Sequence, residues 1–323
     1  MNIQLINPSN NNLLRAEGEH LVDVATTTTF YRKEGVLRFV PEDNYTSNFG
    51  FQWNKFQKTQ IDRESKSSSQ SKVRFFAATQ WEQEDLSKQA VLEVGSGAGR
   101  FSQIVLDYTK ATLYSVDYSN AVEANYKNNG HHGNRFHLFQ ASIYELPFQK
   151  ESFDKVFCFG VLQHTPSFEK SVKALIESAK EGGEVIVDFY PIKGWYTKLH
   201  AKYIFRPFTK KMKHERLLNL IEKNANWMIA ATQFFNTIGI GKFINRFIPI
   251  CDIRHTLPKE LSKKELREWV ILDTFDMFSP EHDHPQTINT VVNWFKKYGM
   301  KEVWGGFVHY DKSHVVAVVK GRK

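Results

Sequence analysis

Glu93-Val-Gly95-Ser-Gly97-Ala-Gly99 is the segment of this 323-residue chain best suited to holding a ligand. Glycine lets a backbone turn tightly and approach a ligand with no Cβ in the way. A helix opening at Arg100 adds free N–H donors that suit a carboxylate or phosphate. Asp117 lies 18 residues beyond Gly99, at the end of the next apolar run. A carboxylate there accepts from both hydroxyls of a ribose. The combination serves more than one class of nucleotide-bearing cofactor, so by itself it chooses none. A second chemical concentration is 272–287 (LDTFDMFSPEHDHPQT), with Asp273, Asp276, Glu281, His282, Asp283 and His284. Imidazoles and carboxylates of this kind can take a proton from a hydroxyl. Their spacing matches no metal motif.

These groups need a scaffold, and the sequence supplies an alternating one. Residues 90–94 (AVLEV), 112–116 (TLYSV), 136–140, 154–159 (DKVFCF) and 184–189 (EVIVDF) read as strands, with helices over 100–110 and 120–128. Alternation of this kind predicts a parallel α/β sheet. Residues 301–308 and 314–319 read as a terminal antiparallel hairpin. The polar stretch 65–71 (SKSSSQS) reads as a linker.

Further signatures follow in order: residues 141–148 (ASIYELPF), then Ser152-Phe153-Asp154 leading into DKVFCF, then 160–166 (GVLQHTP). With the glycine turn and Asp117, this run resembles the class I S-adenosylmethionine-dependent methyltransferases. The resemblance covers roughly residues 75–190, and the last two strands more loosely. It implies a Rossmann-like, seven-stranded α/β sheet and S-adenosylmethionine as cofactor. Glu93, Gly95, Gly97, Gly99, Asp117 and Leu162 fall on the family's cofactor positions. Tyr118 falls where a side chain packs on the adenine. Ser142 stands where many relatives carry an Asp that bonds the adenine amine; its hydroxyl can accept that bond more weakly, with the Ile143 N–H assisting. Gly160 and Gln163 replace the carboxylates that hold a divalent ion in related O-methyltransferases, so no metal is expected.

Residues 1–64 form an N-terminal extension. Its first part resembles a small zinc-ribbon segment found before some bacterial methyltransferases. Asn7-Pro-Ser-Asn10 and Thr26-Thr-Thr-Thr29 occupy the Cys positions, and Gly35-Val-Leu-Arg38-Phe39 keeps the ending. Without thiolates zinc should not bind. Residues 44–62 are dense in Phe, Trp, Asn and Gln and read either as a helix packed on the sheet or as a lid over the methionine end of the cofactor. In the lid reading Trp53 and Gln60 are candidate contacts, and Arg100 can pair with the cofactor carboxylate.

The core spans 72–190 and is completed by 286–323. Between them, 191–285 reads as a helical, basic and aromatic cap inserted over the ligand-binding edge of the sheet. Residues 193–254 hold twelve Lys and Arg against three acids, a local net charge of +9, within a chain whose net charge is +8 and pI about 9.2. Aromatics such as Trp195, Tyr196, Phe205, Phe208, Trp227, Phe234 and Phe247 interleave with them. Such a segment suits an anionic membrane or RNA phosphates and bases. Two cysteines exclude a disulfide framework and Cys-rich zinc sites. The N-terminus lacks the pattern of a secretory signal, and no apolar run reaches the ~20 residues that span a bilayer. The expectation is therefore an enzyme, cytoplasmic or peripheral to the membrane's inner face, that O-methylates a small-molecule, sugar or lipid-linked hydroxyl. His164 is its first base candidate, with His255 and His284 behind it. An RNA methyltransferase ranks second, because no N/D-P-P-Y/F motif follows the fourth strand. A non-catalytic cofactor-binding protein ranks third, because the glycine turn and Asp117 are intact.

Overall fold

The computed structural model describes residues 3–41, 44–64, 69–192, 194, 199–312 and 314–323. The N-terminal extension supplies five short strands: β1 (Leu14–Glu17), β2 (His20–Asp23), β3 (Thr28–Phe30), β4 (Arg32–Lys33) and β5 (Val36–Arg38). Helices α1 (Ser47–Lys55) and α2 (Gln70–Thr79) lead into the core. There β6 (Ala90–Val94), α3 (Arg100–Tyr108), β7 (Thr112–Asp117), α4 (Val122–Asn129), β8 (Phe136–Gln140), β9 (Phe153–Phe159), α5 (Phe168–Ser178) and β10 (Ala179–Phe189) alternate as the sequence predicts. Of the expected linker, 65–68 lie outside the described residues, whereas Ser69 precedes α2 and Gln70 and Ser71 begin it.

The strands join in the order β11-β12-β10-β9-β6-β7-β8-β5-β4, where β11 (Lys301–His309) and β12 (Val315–Arg322) are the terminal hairpin. Parallel pairing sets Glu93 beside Ser115 and beside Phe157. Seven of these strands make the expected sheet. The other two, β5 and β4, come from the extension; β5 pairs parallel to β8 with Leu37 opposite Phe139. All five residues of β6 are buried, as befits a parallel strand covered on both faces. Its side chains alternate between faces. Leu92 and Val94 join a core with Val172, Leu175 and Phe295, beneath α5 and α11 (Ile288–Lys297), while Val91 joins Phe75, Trp81, Ile104 and Phe157 beneath α2 and α3.

The insertion is helical: α6 (Ala201–Thr209), α7 (His214–Thr237), α8 (Gly241–Ile244), α9 (Ile253–Thr256) and α10 (Lys263–Phe278). Ser262 and Glu265 form a capping box that starts α10. Leu217, Leu218 and Ile221 of α7 pack on Ile271, Leu272 and Phe275 of α10, and Phe56 from the end of α1 joins them. The extension and the insertion thus share a core above the sheet edge. Trp195 and Tyr196, expected among the cap's aromatics, lie outside the described residues. Among the described residues no helix is long and apolar enough to cross a membrane.

Candidate functional site

The glycine turn leaves β6 with Gly95 at φ +83° and enters α3 with Gly99 at φ +85°, a left-handed backbone costly for other residues. Space excludes side chains too. A Cβ on Gly95 would lie 2.2 Å from a Val161 methyl, and one on Gly99 would lie 2.1 Å from Asn125 Oδ1. Helix α4 braces the turn from below. Asn128 donates to the Ala98 carbonyl at 2.8 Å and Asn129 to that of Gly99 at 3.1 Å. Neither Asn stood out in the sequence, because only the fold brings α4 under the turn.

Asp117 ends β7 beside this turn. Its Oδ2 accepts from Gly97 N at 2.8 Å, and its Oδ1 from Ser119 N and Oγ at 2.8 and 2.7 Å. Each oxygen keeps acceptor capacity for a diol. Burial pushes its carboxyl above the usual range, against these bonds. Glu93 lies lower. Its Oε2 accepts from Ser102 Oγ at 2.5 Å and Ser115 Oγ at 2.6 Å, and burial pushes its carboxyl up to about 7. Expected at a cofactor position, Glu93 supports the turn from beneath.

Helix α1 covers the turn. The Trp53 indole nitrogen lies 3.1 Å from the point where a Gly97 Cβ would sit. Asn54 donates to the Asn120 carbonyl and Asn44 to that of Tyr118, both at 3.0 Å, and the rings of Tyr45 and Tyr118 lie 5.1 Å apart. Gln60 and Arg100, the other candidate cofactor contacts, bond each other. Arg100 Nη1 donates to Gln60 Oε1 at 3.1 Å and its Nε to Ser71 Oγ at 2.8 Å, while Gln60 Nε2 reaches Asp273 Oδ1 at 3.2 Å. The two residues tie α3, α2 and α10 together. Ser142 Oγ accepts from Tyr144 N at 3.2 Å, and Ile143 and Leu162 are buried in the core beside it.

Past β9, Leu162-Gln163-His164 forms a short 3-10 turn. His164 is 6% exposed. Its Nδ1 lies 3.1 Å from the His282 carbonyl oxygen, which can only accept, so Nδ1 carries the proton. Nε2 has no protein partner. The rings of Phe49 and Tyr190 stand 5.3 and 5.7 Å away. Burial holds the imidazole below its ordinary value; Asp276 and Asp283 pull the other way, and Lys202 pushes with burial. Tyr190, 41% exposed, donates from its hydroxyl to Asp276 Oδ2 at 3.3 Å. Burial, reinforced by Asp276, pushes the Asp273 carboxyl up to about 7. At the end of β10, Asp188 accepts from Arg74 Nη2 and Gly160 N, each at 2.5 Å. Arg74 gave no signal in the sequence.

Of the other base candidates, His284 is exposed; its backbone N–H donates to the Gln163 carbonyl at 2.7 Å. It is His282 whose carbonyl reaches His164. His255 is exposed on α9. Asp283 and Glu281 are spent on pairs with Lys202 of α6 at 2.9 Å and with Lys210, the residue after α6, at 3.1 Å. Among the described residues no group of three or more His, Cys, Asp or Glu is arranged to hold a metal.

Buried polar atoms without protein partners test the fit of the cofactor. Ser96 Oγ on the turn, Gln163 Oε1 and His164 Nε2 after β9, and both amide atoms of Gln52 on α1 are such atoms. Buried polar groups are otherwise almost always paired. With the Asp117 acceptor and the glycine turn, this set fits S-adenosylmethionine, which carries a ribose diol, an amino-acid head and an adenine.

Residues 92–187 match the family described as methyltransferase domain. The tRNA U34 carboxymethyltransferase of Helicobacter acinonychis (strain Sheeba) is 27% identical over 137 residues, 42% of this chain and 45% of that protein. The enzyme of the same name from Nautilia profundicola is 26% identical over 160 residues, 49% of this chain and 51% of that one. The chain thus spans about half the length of the curated relatives it matches. Among solved structures, the complex of the Haloferax volcanii Trm112 methyltransferase activator with its methyltransferase has a TM-score of 0.48 at 9% identity, covering 88% of this chain and 98% of that one. Magnesium protoporphyrin IX methyltransferase from Synechocystis, with bound SAH, has a TM-score of 0.47 at 14% identity, covering 86% and 96%. The sequence alone ranks nucleic acid behind a small-molecule, glycan or lipid-linked acceptor and an anionic membrane. The relatives correct that order, because they are tRNA enzymes.

Proposed function

Because this chain carries an S-adenosylmethionine-dependent methyltransferase domain, we propose that it transfers the cofactor's one-carbon group to an acidic O–H, or a comparable group, on a single nucleotide of an RNA. In this reading His164 is the base. The observation that carries it is the bare, buried Nε2 of His164, whose opposite nitrogen is committed to the His282 carbonyl. When bound, the cofactor supplies an already activated methyl on a sulfonium. The protein's task is to align the acceptor and remove its proton. Asp117 and the glycine turn hold the ribose and the amino-acid head, and Trp53 closes over them. His164 takes the proton at Nε2, and the resulting imidazolium is supported by the negative charge of Asp276.

RNA as acceptor is supported by the relatives and by the cap surface. Lys211, Lys213 and Arg216 are exposed near the start of α7, and Phe208, 74% exposed, precedes them. Cations that follow phosphates and aromatic faces that stack bases are the usual means of holding unpaired RNA. A buried base requires the nucleotide to leave its stack, at a cost least for single-stranded positions.

The test is labelled S-adenosylmethionine with total cellular RNA and, separately, an RNase-treated extract. Label in nucleosides of digested RNA is the expected result, and its rate of appearance should fall about 10²–10⁴-fold with His164→Gln. Label confined to RNase-resistant material overturns the RNA acceptor. Equal labelling by His164→Gln overturns the base.

A further inference from the structure

We propose that Gln52 reads a nucleobase edge, its Nε2 and Oε1 together meeting an acceptor beside a donor. The proposal rests on the reading of this site as a nucleotide-handling one. The base is either that of the acceptor nucleotide or the adenine of the cofactor.

Gln52 is 1% exposed, and neither of its amide atoms has a protein partner. The other amides nearby on and beside α1 are satisfied: Asn48 donates to Ser279 Oγ at 3.1 Å, Asn54 to the Asn120 carbonyl at 3.0 Å, and Gln57 to the Asn54 carbonyl at 2.9 Å. A buried amide with nothing to bond is a burden that an apolar side chain of the same length would remove. Its position supports a ligand role. Gln52 lies three residues after Phe49, whose ring faces His164, and four before Phe56, which packs into the cap core. Positions three and four apart share a helix face, so Gln52 belongs to the face of α1 that spans from His164 to the cap. Ser96 Oγ on the glycine turn, and Gln163 Oε1 and His164 Nε2 after β9, are likewise buried and unpartnered. An amide presents one donor side and one acceptor side in a plane, which is how Gln bonds a base edge in two places.

The experiment uses the full chain with Gln52→Leu and Gln52→Met. Urea unfolding is measured without ligand, S-adenosylhomocysteine affinity by calorimetry, and KM for RNA by label transfer. Both variants should unfold at urea concentrations equal to or above wild type. One affinity should weaken on the order of 10- to 100-fold. A weaker RNA KM with unchanged cofactor affinity assigns the acceptor's base, and the reverse assigns adenine. Variants that lose stability while keeping both affinities overturn the proposal, as do variants unchanged in every measurement. If wild type labels no RNA, the acceptor reading fails; calorimetry then decides Gln52 alone, and an unchanged cofactor affinity overturns it.

Discussion

His164 Nδ1 lies 3.1 Å from the carbonyl oxygen of His282. One bond thus joins the turn after β9 to the tract before α11, 118 residues later, and fixes which imidazole nitrogen is free. A neutral ring locked in this tautomer presents a lone pair with no further reorganisation. His164→Gln should leave cofactor affinity within a few-fold of wild type and lower turnover by about 10²–10⁴, measured by calorimetry and label transfer.

The same ring sets a pH dependence. Burial holds it below the ordinary His value, so the base form persists into mildly acidic solution. Turnover should hold below the pH at which a free His protonates, then fall as pH drops through the lowered value. Stability follows the same sign: this contribution is complete above the unfolded His value and is lost on acidification through the folded one. A turnover profile that falls already near the ordinary His value would contradict the assignment.

Glu93 has the opposite sign. Its buried carboxyl is raised to about 7 from 4.5, so ionisation disfavours the folded state. Wild-type stability should decline as pH rises from about 4.5 through about 7. Glu93→Gln keeps the shape without the charge. Its advantage in urea unfolding should grow over that window towards roughly 3 kcal/mol, with cofactor affinity nearly unchanged because Glu93 faces Ser102 and Ser115.

Asp23 organises the N-terminal extension. Asn7 and Asn10 donate to its Oδ2 at 2.7 and 2.8 Å, Asn12 reaches both oxygens at 3.2 Å, and Ala25 N donates to Oδ1 at 3.0 Å. Burial raises its carboxyl, but the bonds from Asn10, Asn7, Thr26 and Asn12 outweigh it and hold the group well below the usual range. Its contribution is present above the unfolded Asp value and disappears as pH falls below it. Asp23→Ala should speed hydrogen exchange through residues 7–30 and leave exchange in β6 and β7 unchanged.

Lys211, Lys213 and Arg216 should act on the acceptor alone. Replacing all three with Gln should leave S-adenosylhomocysteine binding intact and weaken RNA binding. The slope of log affinity against log salt should fall by roughly 0.7 for each single-strand phosphate contact removed. An unchanged slope, measured by fluorescence anisotropy, places the RNA elsewhere.

The sheet was legible in the sequence for a simple reason. Strands such as AVLEV and the VFCF run of β9 are buried on both faces, so most of their residues are apolar, and helices must lie between them. The glycine turn and Asp117 were legible because backbone conformation and position in a βαβ unit fix their environment locally. The two added strands were not, because β4 and β5 have two and three residues, too few to carry a period. Polar partnerships were hidden for another reason: they depend on which surfaces the fold brings together. Arg74 meets Asp188 across 114 positions. Gln60 and Arg100, read as cofactor contacts, meet each other. Within one His- and Asp-rich tract, the fold gives His164 to His282, Lys202 to Asp283 and solvent to His284. Gln52 shows the limit most plainly. Its amide is ordinary in sequence and becomes informative only when the fold buries it and leaves it unpaired.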